Sequence, residues 1–439
     1  MRRVTHNDRY HSSPHMKRFV SAQKMQEQAK ELAYLQSAEL VTPCRLFLVL
    51  IGSVVMILLI SLSISSEQLS YNFDISDFQV NLTKEPYHMN YKNLLQKREE
   101  MLLHYGYSSS DNKIEKRSEL PLQEFWDLYD GKWPVIVSDI VPNWKAYKNW
   151  GKDFFYNNYG ADRIILKAVE GILKEGVAHI RDMKTFISHL EHPSEPNSWT
   201  YMEDEMFLML RPELKKDIGN NYITDENFFN LFPYEVRPWD CMMLWGTKYS
   251  RSTLHMDPYN WTAISAVIWG RKKWKLFPPG QDQYLYIQAG NKCGFPLECK
   301  KYDSIIDAFD PDYWKFPKFR KAEYLEVEQN SGEMLIIPSG WYHQAYNDEE
   351  TLSISMELMN RNNYLVVLEE IIRGKNLSRK KLPAHFHTLL PPDQVTLFMS
   401  LLPKKILKHG KDVTDDLLNT VDVMRNRTAD LQQPLSAAG

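Results

Sequence analysis

The chain has 439 residues, 43% of them hydrophobic and 13% aromatic, with a formal net charge of −3. That length is more than one compact domain needs, and the apolar content is enough for a large core. The near-neutral balance gives no reason to expect nucleic acid as a partner. Four cysteines, Cys44, Cys241, Cys293 and Cys299, are too few for a disulfide scaffold and lack the CxxC pairs of a zinc site.

Residues 1–45 form a polar tail with eight Lys/Arg against four acids, and 16–42 read as a short amphipathic helix. Residues 46–64, LFLVLIGSVVMILLISLSI, carry no charge. As a helix they rise about 28 Å, the thickness of a bilayer's hydrocarbon core. A buried core helix would show a polar stripe, and this stretch has none. It starts too far from Met1 for a cleaved signal, so it reads as a single transmembrane signal anchor. The charge bias places the tail in the cytosol and the C-terminal part in the lumen, a type II topology in the endoplasmic reticulum or Golgi. Close to the span the count is only Lys30 and Arg45 against Lys84, which leaves a cytosolic domain as the alternative. The opening MRR resembles an endoplasmic-reticulum retention signal; two ordinary basic residues are the plainer reading.

Residues 65–113 read as a stalk followed by a helix around Tyr91–His104, and SSSDN at 108–112 marks a boundary. From 114 to 409 the sequence is globular. Short Val/Ile/aromatic runs predict strands at 134–141, 242–246 and 333–338. Helices are expected at 122–129, 183–190, 363–373 and 393–402. Residues 410–439 are polar and expected to be loosely ordered. A homodimer through the C-terminal helices is left open. Cys293 and Cys299 are close enough in sequence to bridge in an oxidising compartment; two loop thiols are the equal alternative. Four Asn-x-Ser/Thr sites follow the span, at Asn81, Asn260, Asn376 and Asn426. Asn81, in the stalk, is expected to carry a glycan, and Asn260, three residues past Asp257, is not.

The chemistry concentrates in RSTLHMDPYNWTAISAVIWGRKKWKLFPPG, 251–280, and SGEMLIIPSGWYHQAYNDEETLSISMEL, 331–358. His255 and Asp257 are two apart, so on extended chain they point to one side. A further imidazole, His343, completes a facial triad that holds three cis positions of an octahedron and leaves three open. That is the arrangement of a non-heme iron centre. A lone HxD is weak. In RKKWKLF, however, only Lys272 shares a strand face with Trp274 and Leu276. A lysine directed into a barrel needs an anion there; the alternative is that all four basic residues form a solvated face.

HxDP, the Trp-Gly-basic-Lys stretch ending in FPP, and GEMLIIPSGWYH together resemble the JmjC oxygenases. The similarity is greatest to the phosphatidylserine-receptor-like branch, which includes a lysyl hydroxylase. It covers roughly 114–409, including LQEFWDLYDGKWPVIVSD, WKAYKNW and IIRGKNLSRK. It implies a mainly β fold with flanking helices, a double-stranded β-helix or cupin barrel, here behind a single transmembrane helix. It also implies Fe(II) on His255, Asp257 and His343, 2-oxoglutarate and O2 as cosubstrates, and Lys272 on the 2-oxoglutarate 5-carboxylate. Ser355 falls where the family places a threonine on that carboxylate, and Ser252 and Ser265 match polar positions nearby. The reaction class is hydroxylation of a protein or peptide; the alternatives are N-methyl demethylation and a non-catalytic membrane-anchored cupin module. Glu357 departs from the branch, which carries an amide there. A carboxylate could repel the cosubstrate or attract a cationic side chain, or it could be a solvated rim position.

Overall fold

A computed structural model describes residues 91–107, 113–170, 176–292, 296–375, 377 and 382–431. The expected tail, anchor at 46–64, stalk to residue 90 and boundary at 108–112 lie outside the described residues. Among those described, no helix is long and apolar enough to cross a membrane.

In chain order the strands are β1 (Glu115–Arg117), β2 (Val135–Val137), β3 (Arg163–Glu170), β4 (Gly176–Asp182), β5 (Ser198–Asp204), β6 (Cys241–Gly246), β7 (His255–Met256), β8 (Thr262–Trp269), β9 (Arg271–Phe277), β10 (Ile287–Lys292), β11 (Lys300–Ser304), β12 (Leu325–Asn330), β13 (Met334–Ile337), β14 (Tyr342–Asn347) and β15 (Thr351–Leu358). The helices that shape the site are α1 (Tyr91–His104), α2 (Leu122–Leu128), α3 (Lys152–Tyr159), α4 (Met183–Leu190), α5 (Tyr364–Lys375), α6 (Pro391–Ser400) and α7 (Lys404–Leu431).

The strands form a major sheet, β1-β2-β13-β8-β15-β6-β5-β3-β4, and a minor sheet, β10-β11-β7-β14-β9-β12. From β6 to β9 the chain alternates between the sheets, and from β12 to β15 it does so again. This winding is that of the expected double-stranded β-helix, with helices flanking it.

The sequence shows why each strand sits as it does. In β9, RKKWKLF, Lys272, Trp274 and Leu276 are buried while Arg271, Lys273 and Lys275 are partly exposed. One face of this strand therefore looks into the barrel and the other looks out. β8 is buried along almost its whole length because it lies between β13 and β15, with apolar groups against the core on one side and the barrel interior on the other. The two strands join through Gly270 at φ 91°. A Cβ there would strike the Glu350 carbonyl and Thr351, so the turn requires glycine.

Outside the major sheet, Trp245 is met by Phe155 of α3 and Phe186 of α4 at 5.5 and 5.3 Å. Truncating a buried Trp of this kind to alanine costs about 3–5 kcal/mol. A second aromatic chain reaches the site. Tyr91 of α1 stacks on Trp133 at 6.4 Å, and Trp133 meets Trp341 edge-on at 5.4 Å, two residues before His343. Leu94 and Leu102 of α1 are buried as well. The helix expected beside the stalk therefore belongs to the folded domain.

The expected helices and strands recur at the predicted places, with β2 shorter because a 3-10 turn at Val141–Asn143 follows it. One boundary is corrected: 410–439 is not loosely ordered throughout, since α7 runs on to Leu431. Its polar composition is that of a solvated helix. Lys408–Asp412 and Lys411–Asp415, at 3.1 and 2.6 Å, support it at i,i+4 spacing.

Candidate metal centre

β7 is only two residues long, but the chain stays extended through Asp257 at φ −63°, ψ 153°. His255 and Asp257 thus keep the common side that their spacing predicts. His343 of β14 pairs directly with His255. His255 Nε2 lies 3.5 Å from Asp257 Oδ1, and His343 Nε2 lies 3.7 Å from Asp257 Oδ2. Ligand atoms of all three lie within 4.8 Å of one another, and among the described residues this is the one cluster that could hold a metal.

Both imidazoles are oriented from behind. His255 Nδ1 donates to the Thr253 carbonyl at 2.8 Å, and His343 Nδ1 donates to the Trp341 carbonyl at 3.2 Å. A carbonyl can only accept, so Nδ1 carries the hydrogen and the Nε2 lone pair is free for a metal. Desolvation pushes the His343 pKa down to about 4, which leaves the ring neutral and ready to ligate. Desolvation also opposes charge on His255, but the neighbouring Asp257 outweighs it and raises the pKa. Desolvation opposes charge on Asp257 too, yet His343 and then His255 hold its carboxyl below the ordinary range.

The backbone that aims these ligands is tied together by one side chain. Tyr259 and Asn260, just past Asp257, both adopt left-handed φ of 53° and 54°. Asn260 is 1% exposed, and its Oδ1 accepts the backbone N–H of Gly340. Gly340, at φ 84°, opens the turn into Trp341–His343. Asn260 therefore joins the turn behind Asp257 to the turn ahead of His343. The sequence marks it only as a glycosylation motif; its burial leaves no room for a glycan.

Lys272 is fully buried and faces the interior as expected. Its Nζ donates to the Tyr201 hydroxyl at 3.3 Å, and no carboxylate pairs with it among the described residues. Desolvation lowers its pKa to about 7. Ser265 and Ser355 are directly opposed across β8 and β15, and the buried Ser265 Oγ has no hydrogen-bond partner among the described residues. Ser252 Oγ accepts the Ala345 N–H at 3.0 Å and so helps hold β14 in place. The rim alternative for Glu357 is corrected by its burial to 5% exposure. Its Oε1 lacks a partner among the described residues. Desolvation, then Asp240, raises its pKa well above the carboxylate range.

Two residues escape sequence reasoning. Tyr201, on β5, carries no motif. Gln329 accepts Trp274 Nε1–H at 2.9 Å and donates to the Ser265 carbonyl at 2.6 Å, locking the wall beside Lys272. It reads in sequence as an ordinary residue of an alternating strand.

The donor set fits a divalent metal held on one octahedral face. A buried ammonium and an unpartnered hydroxyl in the same barrel fit a carboxylate ligand.

The cupin-like domain family model matches residues 121–360. The chain is 27% identical over 277 residues to the lysine-specific demethylase JMJ21 of Arabidopsis thaliana, covering 61% of this chain and 28% of that protein. It is 38% identical over 116 residues to the 2-oxoglutarate and iron-dependent oxygenase JMJD4 of Danio rerio, covering 26% of this chain and 25% of that protein. It is 25% identical over 300 residues to the bifunctional arginine demethylase and lysyl-hydroxylase psr-1 of Caenorhabditis briggsae, covering 65% and 72%. The match spans only 28% of JMJ21 and 56% of the arginine-specific demethylase JMJ20 of Arabidopsis thaliana. With the alternating two-sheet winding and the paired His255 and His343, these matches make the chain a member of the cupin-like domain family, of the JmjC type.

Proposed function

We propose that the protein is a membrane-anchored, Fe(II)- and 2-oxoglutarate-dependent oxygenase that hydroxylates a protein side chain. The observation that carries this reading is the pairing of an open three-ligand centre with a buried, carboxylate-free Lys272 in one barrel. A non-catalytic binding module has no use for that combination. His255, Asp257 and His343 would hold iron, and Lys272 with Ser265 and Ser355 would hold the 2-oxoglutarate carboxylate. Iron with 2-oxoglutarate and O2 supplies the oxidation of a C–H bond, with release of succinate and CO2. The chain's own part is to orient both imidazoles, to keep His343 neutral, and to exclude water from the Lys272 end of the barrel. Relatives named for lysyl hydroxylation and for lysine or arginine demethylation support a protein substrate. N-methyl demethylation would use the same residues, but a lumenal domain does not meet histone tails.

The anchor rests on the uncharged stretch 46–64. The lumenal placement is supported by a disulfide at Cys299, with Cys241 a buried free thiol. With Cys44 in the cytosolic tail and Cys241 a free thiol, the proposed partner is Cys293, outside the described residues. Such a bond belongs to an oxidising compartment. A homodimer through the C-terminal helices is part of the same reading, supported by Leu390 and Leu401, exposed by 70% and 36% at the ends of α6.

The test is succinate release by the full-length protein in detergent with a candidate peptide library, read against His255→Ala. Equal release by the two proteins would sink the oxygenase reading. Peptides that gain one oxygen with the wild type alone would name the substrate.

A further inference from the structure

The minor sheet brings one further acid to the edge of the metal centre. β11 pairs with β7 so that Asp303 stands opposite His255, as His343 does from β14. Residues directly opposed in an antiparallel pair share a face, so Asp303 points to the same side as the two imidazoles. One step along, the Ser304 N–H donates to the Leu254 carbonyl at 2.8 Å. Asp303 and His255 are then a pair without mutual hydrogen bonds, the kind whose Cα atoms stand about 4.5 Å apart and whose side chains are closest. Tyr302 and Met256, beside them, take the other face. The Tyr302 hydroxyl donates to Glu370 of α5 at 3.0 Å, and Met256 lies in a satellite core with Phe277.

Across the minor sheet these residues form one row with a direction. Leu325, Leu276 and His343 are buried, His255 and Asp303 are partly exposed, and Gln288, opposite Asp303 on β10, is exposed. The centre therefore opens to water along β11. A side chain entering from solvent on this side passes Asp303 before it reaches His255.

The Asp303 carboxylate is half used. Its Oδ2 pairs at 2.9 Å with the exposed Lys301, two residues back on the same strand face. Its Oδ1 is buried and has no hydrogen-bond partner among the described residues. A buried carboxylate oxygen without a donor is costly, and a donor brought by a ligand relieves that cost. The group is within reach of one, because its side chain is 24% exposed and a carboxylate turns readily about its terminal torsion. The facial set of ligands is complete without Asp303. An anion here cannot hold 2-oxoglutarate either, since it repels the carboxylates of that molecule.

We propose that Asp303 is a specificity-determining residue, whose unbonded oxygen accepts an N–H group of the substrate side chain brought to the His255–Asp257–His343 centre. This rests on the protein-substrate reading of that centre. The chemistry recognised is a nitrogen-bearing side chain that donates a hydrogen bond: an ammonium, a guanidinium or an amide. A wholly aliphatic side chain leaves the oxygen unpaired.

The experiment uses the full-length protein in detergent with Mn(II) and 2-oxoglutarate, and four fluorescent peptides with Ala and Gly flanks that differ only in a central Lys, Arg, Gln or norleucine. Fluorescence polarisation reads binding without turnover. At least one of the three N–H peptides is expected to bind wild type about tenfold or more tighter than the norleucine peptide, as for one charge-assisted hydrogen bond, and the peptide that does so names the donor. Asp303→Ala should bring that peptide to within about twofold of norleucine, with Mn(II) affinity by calorimetry and the melting temperature near wild type. Lys301→Ala keeps the carboxylate and should keep the preference. No preference over norleucine in wild type overturns the proposal, as does a preference that survives Asp303→Ala. Loss of Mn(II) binding together with the preference also overturns it, making Asp303 a support of the metal ligands. A Lys301→Ala protein that loses the preference as fully overturns it as well, by assigning the effect to the ion pair. Succinate release reads the oxygenase separately: equal release by wild type and His255→Ala contradicts that reading, whatever the peptides show.

Discussion

Replacing Lys272 by Met tests the cosubstrate end of the barrel on two readouts that move in opposite directions. A charge-assisted contact to a carboxylate is worth about 1.5–3 kcal/mol, so 2-oxoglutarate binding should weaken about ten- to a hundredfold. The ligand-free fold should not suffer. Burial lowers the Lys272 pKa from 10.5 to about 7. Between those values the unfolded chain holds more protons than the folded one, so this group makes the fold gain stability as pH rises and lose it as pH falls. At neutral pH the buried ammonium costs roughly 4 kcal/mol, and methionine removes that cost while filling the same space. The expected variant therefore melts no lower than wild type and has lost its ligand. Calorimetric titration of 2-oxoglutarate with Mn(II) in place of iron measures the first effect, and thermal melting the second. The wild-type affinity should also fall as pH rises above about 7, because binding then has to take up a proton. Lys273 pairs with Asp348 at 2.9 Å on the outer face, so Lys273→Met should leave binding within about twofold, as for a surface pair. Equal losses from the two lysines, or a Lys272→Met protein that loses both ligand and fold, would refute the reasoning.

His255→Ala and Asp257→Ala should each abolish succinate release while circular dichroism and melting stay near wild type, because neither side chain supports the barrel core; retained turnover would remove the ligand assignment. Asn260→Ala frees the two ligand-bearing turns from each other and should weaken Mn(II) binding about tenfold, as losses around metal ligands do; unchanged affinity by calorimetry would show the Gly340 contact to be incidental. Burial favours the neutral form of Glu357, so Glu357→Gln should keep 2-oxoglutarate binding within about threefold, whereas Glu357→Ala should lose about tenfold; a Gln variant as weak as Ala would mean that the carboxylate itself is needed. Asn81→Gln should raise gel mobility of the protein expressed in microsomes and Asn260→Gln should not; the reverse, or no glycan with a protease-sensitive C-terminal part, would put the domain in the cytosol.

What could be read from sequence was local. The HxD spacing needs only an extended chain, and β7 with Asp257 provides it. The alternation in RKKWKLF needs only a strand with one buried face, so Lys272 could be singled out. The helix at Met183–Leu190 shows its apolar side at helical spacing, and it forms between the expected residues. What could not be read depends on partners distant in the chain. Tyr201 reaches Lys272 from 71 residues away, and Asn260 meets Gly340 across 80. The bond from Ala345 N–H to the Ser252 hydroxyl oxygen likewise joins residues 93 apart. Residues 410–431 looked loose because polarity is shared by solvated helices and tails, and only the i,i+4 charge spacing separates them.

Buried polar groups in this fold differ in how fully their bonds are made. Asp130 accepts from Asn360 and Asn362 at 2.7 and 2.6 Å. Gln329 bonds through both ends of its amide. Arg98 pairs with Glu115 at 2.5 Å. These bonds do not satisfy every atom: Arg98 Nη1 and Asp130 Oδ1 lack a partner among the described residues, as do the indole N–H groups of Trp144, Trp199 and Trp269. Among the described residues, Lys272 has one long bond to a hydroxyl, and Ser265 Oγ and Glu357 Oε1 have none. An unmade bond on a buried polar group costs about 1–3 kcal/mol, and Ser265 and Glu357 carry two of them on the paired strands β8 and β15. Ser265, Lys272 and Glu357 lie on β8, β9 and β15 and offer a hydroxyl, a cation and a carboxyl. A ligand with a carboxylate at one end and metal-binding oxygens at the other offsets those costs as it binds. The same interior thereby selects against neutral molecules of that size, which would leave Lys272 charged and unpaired.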